Sequence, residues 1–143
     1  MLKTDFYESI RKAHCPYLEQ EVAFNSKGLN HLKFNGQGRA RTIEEQKVRF
    51  NLLKYAPEII SRSHTVQGIL VQQNEEKIRS LGETKVILSK VTFYEFMAVL
   101  DDKRIKVILK QLNDGNIFFW SVIPYWKKTQ TGRRVDSIER GEL

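Results

Sequence analysis

A single cysteine, Cys15, occurs in the 143 residues of this chain. One thiol excludes an internal disulfide and a thiolate-rich metal site. With no pKa-lowering context evident, Cys15 reads as a packed or idle thiol rather than a nucleophile. No apolar run approaches the length of a membrane span, and the opening MLKTDFYESIRKAH interleaves charge too often for the apolar core of a signal peptide. The expected setting is aqueous and reducing, either the cytoplasm of the producing cell or that of a cell into which the protein is delivered. Phosphate-loop and metalloprotease patterns are absent too: Gly36 and Gly38 are followed by Arg39 and Ala40, and no HExxH or Cys/His cluster occurs. No metal and no cofactor are therefore expected. Ser121 with His31 would make a poor acyl-transfer pair, because Ser121 has no flanking glycines to form a nucleophile elbow. Asp101 and Asp102 read as a hairpin turn rather than a carboxylate dyad.

Basic charge is what the chain has in excess. A formal net charge of +7 and a pI near 9.6 give a positive field that favours encounters with polyanions. The length suits one domain, placed at residues 1–128, followed by a basic polar tail at 129–143. Three prolines, Pro16, Pro57 and Pro124, punctuate it. A short helix is expected in the first dozen residues, with Phe6 and Ile10 on one face, and Tyr17 to Phe24 alternates as a strand. A turn at Ser26 to Gly28 leads into Leu29 to Phe34, read as extended, so that His31 and Lys33 would share a face. After a loop at Asn35 to Gly38, Thr42 and Glu45 make a capping box for a helix expected at Ile43 to Ser61, with Pro57 a break or a kink in it. Asn74 to Leu81 is polar and helix-prone but lacks an apolar stripe, and reads as a solvated excursion. Strands are expected at Val86 to Leu88, Val91 to Leu100, Arg104 to Leu112 and Ile117 to Pro124, with Asp114 and Gly115 in a hairpin loop. Helices first and a meander afterwards predict an α+β fold, one long helix laid on a roughly four-stranded antiparallel sheet.

Two residues conflict with a purely apolar core. In the helix, Arg49 falls inside the arc of Val48, Leu52, Leu53, Ala56, Ile59 and Ile60, so it must be paired, with Glu45 for example, or reach a polar cleft. In NIFFWSVIPYWK, Ser121 stands among large apolar groups; by strict alternation it shares a face with Phe119 and Ile123, while Phe118, Trp120 and Val122 share the other. A hydroxyl placed there needs a partner, structural or ligand.

NHLKF (Asn30 to Phe34), GRARTIEEQKVRFNLLKYAPEII (Gly38 to Ile60) and FFWSVIPYW (Phe118 to Trp126) resemble the phage-associated branch of the barnase, EndoU, colicin and RelE-like nuclease superfamily. The resemblance spans roughly residues 22 to 127. It implies a metal-independent ribonuclease-like fold of the kind found in toxins and mobile elements, acting on RNA, transfer RNA included, and neutralised by an acidic immunity or antitoxin protein.

Such cleavage needs a group to move the 2′-hydroxyl proton, help in protonating the leaving oxygen, and positive charge on the phosphate. His31 is the acid or base candidate; His14 and His64 lie outside the matching motifs. Arg41 and Arg49 are the candidate phosphate clamps, and Ser121 the group that orients a catalytic side chain or holds the phosphate. Lys33, Arg39, Trp120, Trp126 and Lys127 are candidate RNA contacts, the cations for phosphate and the indoles for base stacking. Structural roles stand beside each of these: a core histidine, a solvated basic loop, a buried ion pair, a satisfied core hydroxyl, core aromatics. Two other functions fit the same residues, a catalytically silent RNA-binding module and a domain that docks an acidic protein.

Overall fold

The computed structural model describes residues 3–125; Trp126, Lys127 and the 129–143 tail lie outside them. The chain runs α1 (Lys3–Ile10), β1 (Lys12–Cys15), β2 (Gln20–Ala23), α2 (Ser26–Lys33), α3 (Ile43–Leu53), α4 (Ala56–Arg62), β3 (Gly68–Ser80), β4 (Glu83–Leu100), β5 (Lys103–Leu112) and β6 (Ile117–Pro124). The class is α+β. The sheet, however, has six strands in the order β1-β2-β6-β5-β4-β3, and it is mixed rather than wholly antiparallel, because β2 meets β6 in parallel at Ala23 and Phe118.

Local chemistry explains where the elements begin. The extended reading of His31 and Lys33 is overturned by the Asn25 side chain, whose Oδ1 accepts from the backbone N–H groups of Lys27 and Gly28 and so caps α2. On a helix, residues two apart lie on nearly opposite sides, and Lys33 no longer shares a face with His31. Thr42 caps α3 as expected, its Oγ1 accepting from the Glu45 N–H. Of the break or kink expected near Pro57, the break is found: α3 stops at Leu53, and Pro57 sits in the first turn of α4, where its missing N–H costs nothing.

The stretch read as a helix-prone, solvated excursion, Asn74 to Leu81, is exposed as expected but is strand as far as Ser80. All thirteen residues of β3 pair with β4, and the Leu81 and Gly82 turn has the two positive φ angles, 54° and 79°, of a tight hairpin. Val86 to Leu88 and Val91 to Leu100 merge into one strand by the same pairing. Cross-strand partners here outweigh helix propensity, which is a weak prior. β5 stops pairing at Val91, so the outer part of β3 and β4 is a two-stranded ribbon carrying exposed Val86, Ile87 and Leu88. Asp101 and Asp102 are hairpin residues, both at positive φ.

The core lies on one face of the sheet. Val107 and Leu109 of β5, Phe119 and Val122 of β6 and Phe96 of β4 pack there against Tyr7 of α1, Leu52 and Leu53 of α3 and Ile59 and Ile60 of α4. Cys15 is fully buried in this cluster and burial pushes its thiol up, as a packed rather than reactive thiol requires. α2 approaches β6 so closely that a Cβ on Gly28 would stand 2.3 Å from the Phe119 carbonyl oxygen and 2.6 Å from the Tyr7 hydroxyl. Gly28→Ala should therefore destabilise the protein by about 1–3 kcal/mol through overpacking, despite alanine's better helix propensity. A thermal melt of the variant that matches or exceeds the wild type would show that α2 has room to shift.

Candidate functional site

The face of the sheet opposite the core is set by one irregularity. Leu109 pairs with Phe119 and Ile108 with Ser121, leaving Trp120 as an extra residue in β6. Strict alternation predicts opposite faces for Trp120 and Ser121; the bulge corrects this and turns both to the side of Phe118 and Ile123, away from Phe119 and Val122. Laterally, Ser121, Ile108 and Glu95 form one row of that face and Ile123, Lys106 and Met97 the next. Ser121 is thus not among the aromatic core at all.

Helices α2 and α3 lie against β6 and deliver side chains to the bulge. From α3, Arg49 Nη1 donates to Ser121 Oγ at 2.5 Å across 72 positions of sequence. From α2, the His31 imidazole stacks on the Trp120 indole with centroids 4.0 Å apart and planes 14° from parallel. The loop between α2 and α3 folds back through an isolated bridge between Phe34 and Ala40, which brings Arg41 beside His31. Arg41 Nε donates to the His31 carbonyl oxygen at 2.9 Å and its Nη2 lies 3.1 Å from His31 Nε2. A guanidinium has only donors, so at this contact Nε2 accepts and the imidazole is neutral with its proton on Nδ1. Gln46 Nε2 donates to the Arg41 carbonyl and holds the loop in place.

His31, Arg41, Arg49 and Ser121 are thereby brought together, with Trp120 beside them. The other expected contacts are not. Lys33 belongs to the opposite side of α2, where it borders a hollow with Lys3, Ile43 and Phe50. Arg39 is exposed in the Asn35 turn, where its backbone N–H is held by Asn35 Oδ1. Trp120 is not open to a base: Lys110 Nζ sits 3.8 Å from the indole centroid while His31 sits 4.0 Å from it. Two groups that close to one centroid cannot share a face, so the ring is covered on both sides. The expected base-stacking role of Trp120 is corrected on that ground. Trp126 and Lys127 lie outside the described residues.

Comparison with family models, with curated proteins and with solved structures finds no match. The site is therefore read from its own geometry.

Sequence reasoning missed three charged residues of this face: Lys110, Lys106 and Glu95. Lys106 Nζ and Glu95 Oε1 are 3.5 Å apart with both side chains 1% exposed. Lys110 is half-buried, and desolvation followed by the nearby charge of Lys27 lowers its pKa from the ordinary lysine value. The signal was present in RIKVILKQL, where Arg104, Lys106 and Lys110 alternate with Ile105, Val107 and Leu109. This is a period-two strand with an apolar face for the core and a basic face for something else.

A cleft of about 430 Å³ opens next to the arginines, lined by Arg41, Glu44, Glu45, Val48, Arg49, Ile123 and Pro124. Arg49 is 8% exposed, so it is both bonded inward to Ser121 and present in the cleft wall. A larger, more apolar hollow of about 620 Å³ adjoins it through Val48 and Pro124 and includes Tyr125 and Arg104. Among the described residues no three His, Cys, Asp or Glu side chains cluster as metal ligands would, and no helix is long and apolar enough to cross a membrane.

Proposed function

We propose that the protein is a metal-independent endoribonuclease, with His31 as the general base, Arg41 and Arg49 as the phosphate clamp and Ser121 as the group that orients Arg49. The observation that carries this reading is the convergence of an imidazole and two guanidinium groups on one bulged, basic sheet face. Nothing in the packing of an apolar core calls for that set. In the reaction the substrate 2′-oxygen attacks the adjacent phosphorus, the O2′–P bond forms, and the P–O5′ bond breaks. The 2′-hydroxyl proton passes to His31 Nε2, and the 5′-oxygen takes a proton from water in the open cleft. As Arg41 turns from Nε2 onto a phosphate oxygen, the lone pair it held becomes the base, so phosphate binding and base activation are one event. Arg41 and Arg49 then bear on the oxygens that gain charge in the transition state. The adjoining hollow, with Tyr125 at its wall, supplies room for a neighbouring nucleotide. Transfer RNA is one substrate of this class, and an acidic immunity protein is a fitting inhibitor of so basic a face.

One observation favours a second reading, a catalytically silent RNA-binding module: His31 is 3% exposed, so substrate reaches Nε2 only by displacing Arg41. The discriminating experiment is incubation of purified protein with total RNA in excess chelator, resolved on a sequencing gel. Discrete cleavage products carrying 2′,3′-cyclic phosphate ends are expected. Salt-dependent RNA binding with no cleavage, with or without divalent ions, would select the binding module. Cleavage that vanishes with chelator and returns with a divalent ion would overturn the proposed chemistry.

A further inference from the structure

We propose that Trp120 is a positioning residue, its indole gripped between the His31 imidazole and the Lys110 ammonium, and that Lys110 acts through it to keep His31 in its proton-accepting form. This rests on the reading of His31 as the base, but its physical content does not depend on RNA.

Three observations carry it. The first is the sandwich itself, with contacts of 4.0 Å and 3.8 Å to one indole centroid. A ring held flat on a fixed indole keeps one orientation, which is what allows Nε2 to meet Arg41. The second is that the indole is retained at a cost. Trp120 Nε1 is buried with no hydrogen-bond partner among the described residues, an arrangement that selection for stability alone would remove by placing phenylalanine there. The third is the electrostatic surroundings of His31. Lys27 stands one turn earlier on α2, Arg41 comes from the following loop, Arg49 from α3, whose Glu44 and Glu45 line the cleft beside both arginines, and Lys106 and Lys110 from β5. Glu95 of β4 lies within 3.5 Å of Lys106, and β6 adds only the uncharged Trp120 and Ser121. A proton added to His31 would create one more cation among several, and Lys110, across the width of one indole, is aligned to oppose it. The pKa of Lys110 is lowered first by its burial and then by the neighbouring charge of Lys27, so a second cation already bears on this side of the indole.

The test is NMR of the His31 ring, following the nitrogen tautomer and the titration midpoint in the full-length wild type, Lys110→Met, Lys110→Arg, Trp120→Phe and Trp120→Leu. Removing the Lys110 charge should raise the His31 midpoint by about half a pH unit, because a like charge that disfavoured imidazolium is gone. Lys110→Arg keeps both the charge and the ring contact and should restore the wild-type midpoint. Trp120→Leu should replace the single Nδ1–H tautomer with an averaged ring signal. Trp120→Phe, which removes the orphan N–H, should melt no lower than the wild type while shifting the pH dependence of any cleavage. A His31 midpoint and tautomer unchanged in Lys110→Met and Trp120→Leu overturn the proposal, even where RNA cleavage is real and is lost in His31→Ala. If the His31 signals move as expected but no variant, wild type included, cleaves RNA, the positioning device stands and the ribonuclease reading fails.

Discussion

His31→Ala should cleave RNA at least about a hundredfold more slowly than the wild type, the usual scale for removing a general base. The expectation follows from geometry: Nε2 accepts from Arg41, so the nitrogen is unprotonated and lies where a phosphate-bound Arg41 would release it. Folding should be less affected than activity, because the stack on Trp120 and the hydrogen bond from Arg41 lie on the sheet face opposite the main apolar cluster. Alanine does leave a gap against the indole, so melting is to be recorded on the same samples and rates compared well below the transition. His31→Gln is the companion variant, since its amide fills part of the volume and can accept from Arg41 but cannot take up a proton at neutral pH. Loss of rate in both variants with RNA affinity preserved is the expected result. Wild-type rates in His31→Gln would make the imidazole a structural spacer and move the general base elsewhere on the face.

Lys106→Met should cost about 3–5 kcal/mol of unfolding free energy, the scale measured when one partner of a buried ion pair is removed. Lys106 and Glu95 are diagonal neighbours on β5 and β4, each 1% exposed. Methionine replaces most of the lysine stem, so little packing is lost; the cost arises from a carboxylate left in a buried place with the pair broken. The double variant Lys106→Met with Glu95→Leu removes both charges and should recover much of the loss. Urea unfolding of the four proteins gives the coupling energy directly. A loss below about 1 kcal/mol in Lys106→Met would place this pair with weak surface salt bridges, and its burial would need another account.

How far the chain can be read without its tertiary structure is clearest residue by residue. The α+β order, the Thr42 cap, the Asp101 and Asp102 turn and the anomaly of Arg49 and Ser121 are visible in sequence because each depends on residues a few positions apart. Capping, turn chemistry and hydrophobic period are local physics. That Arg49 and Ser121 answer each other could not be read, since they stand 72 positions apart and only the packing of α3 against β6 joins them. The bulge at Trp120 defeated strict alternation because it is defined by the partner strand, β5, and not by NIFFWSVIPYWK itself. Asn74 to Leu81 was legible as solvated but not as strand, because its pairing with β4 across the hairpin, and not its own polar, helix-prone composition, decides that segment. His31 was singled out by type and by motif, yet its tautomer, its stack on Trp120 and the Lys110 cation beyond the indole exist only once α2 lies beside the sheet. Local sequence determined which residues were chemically out of place. Strand register and helix docking, which act across the whole chain, decided which of them meet.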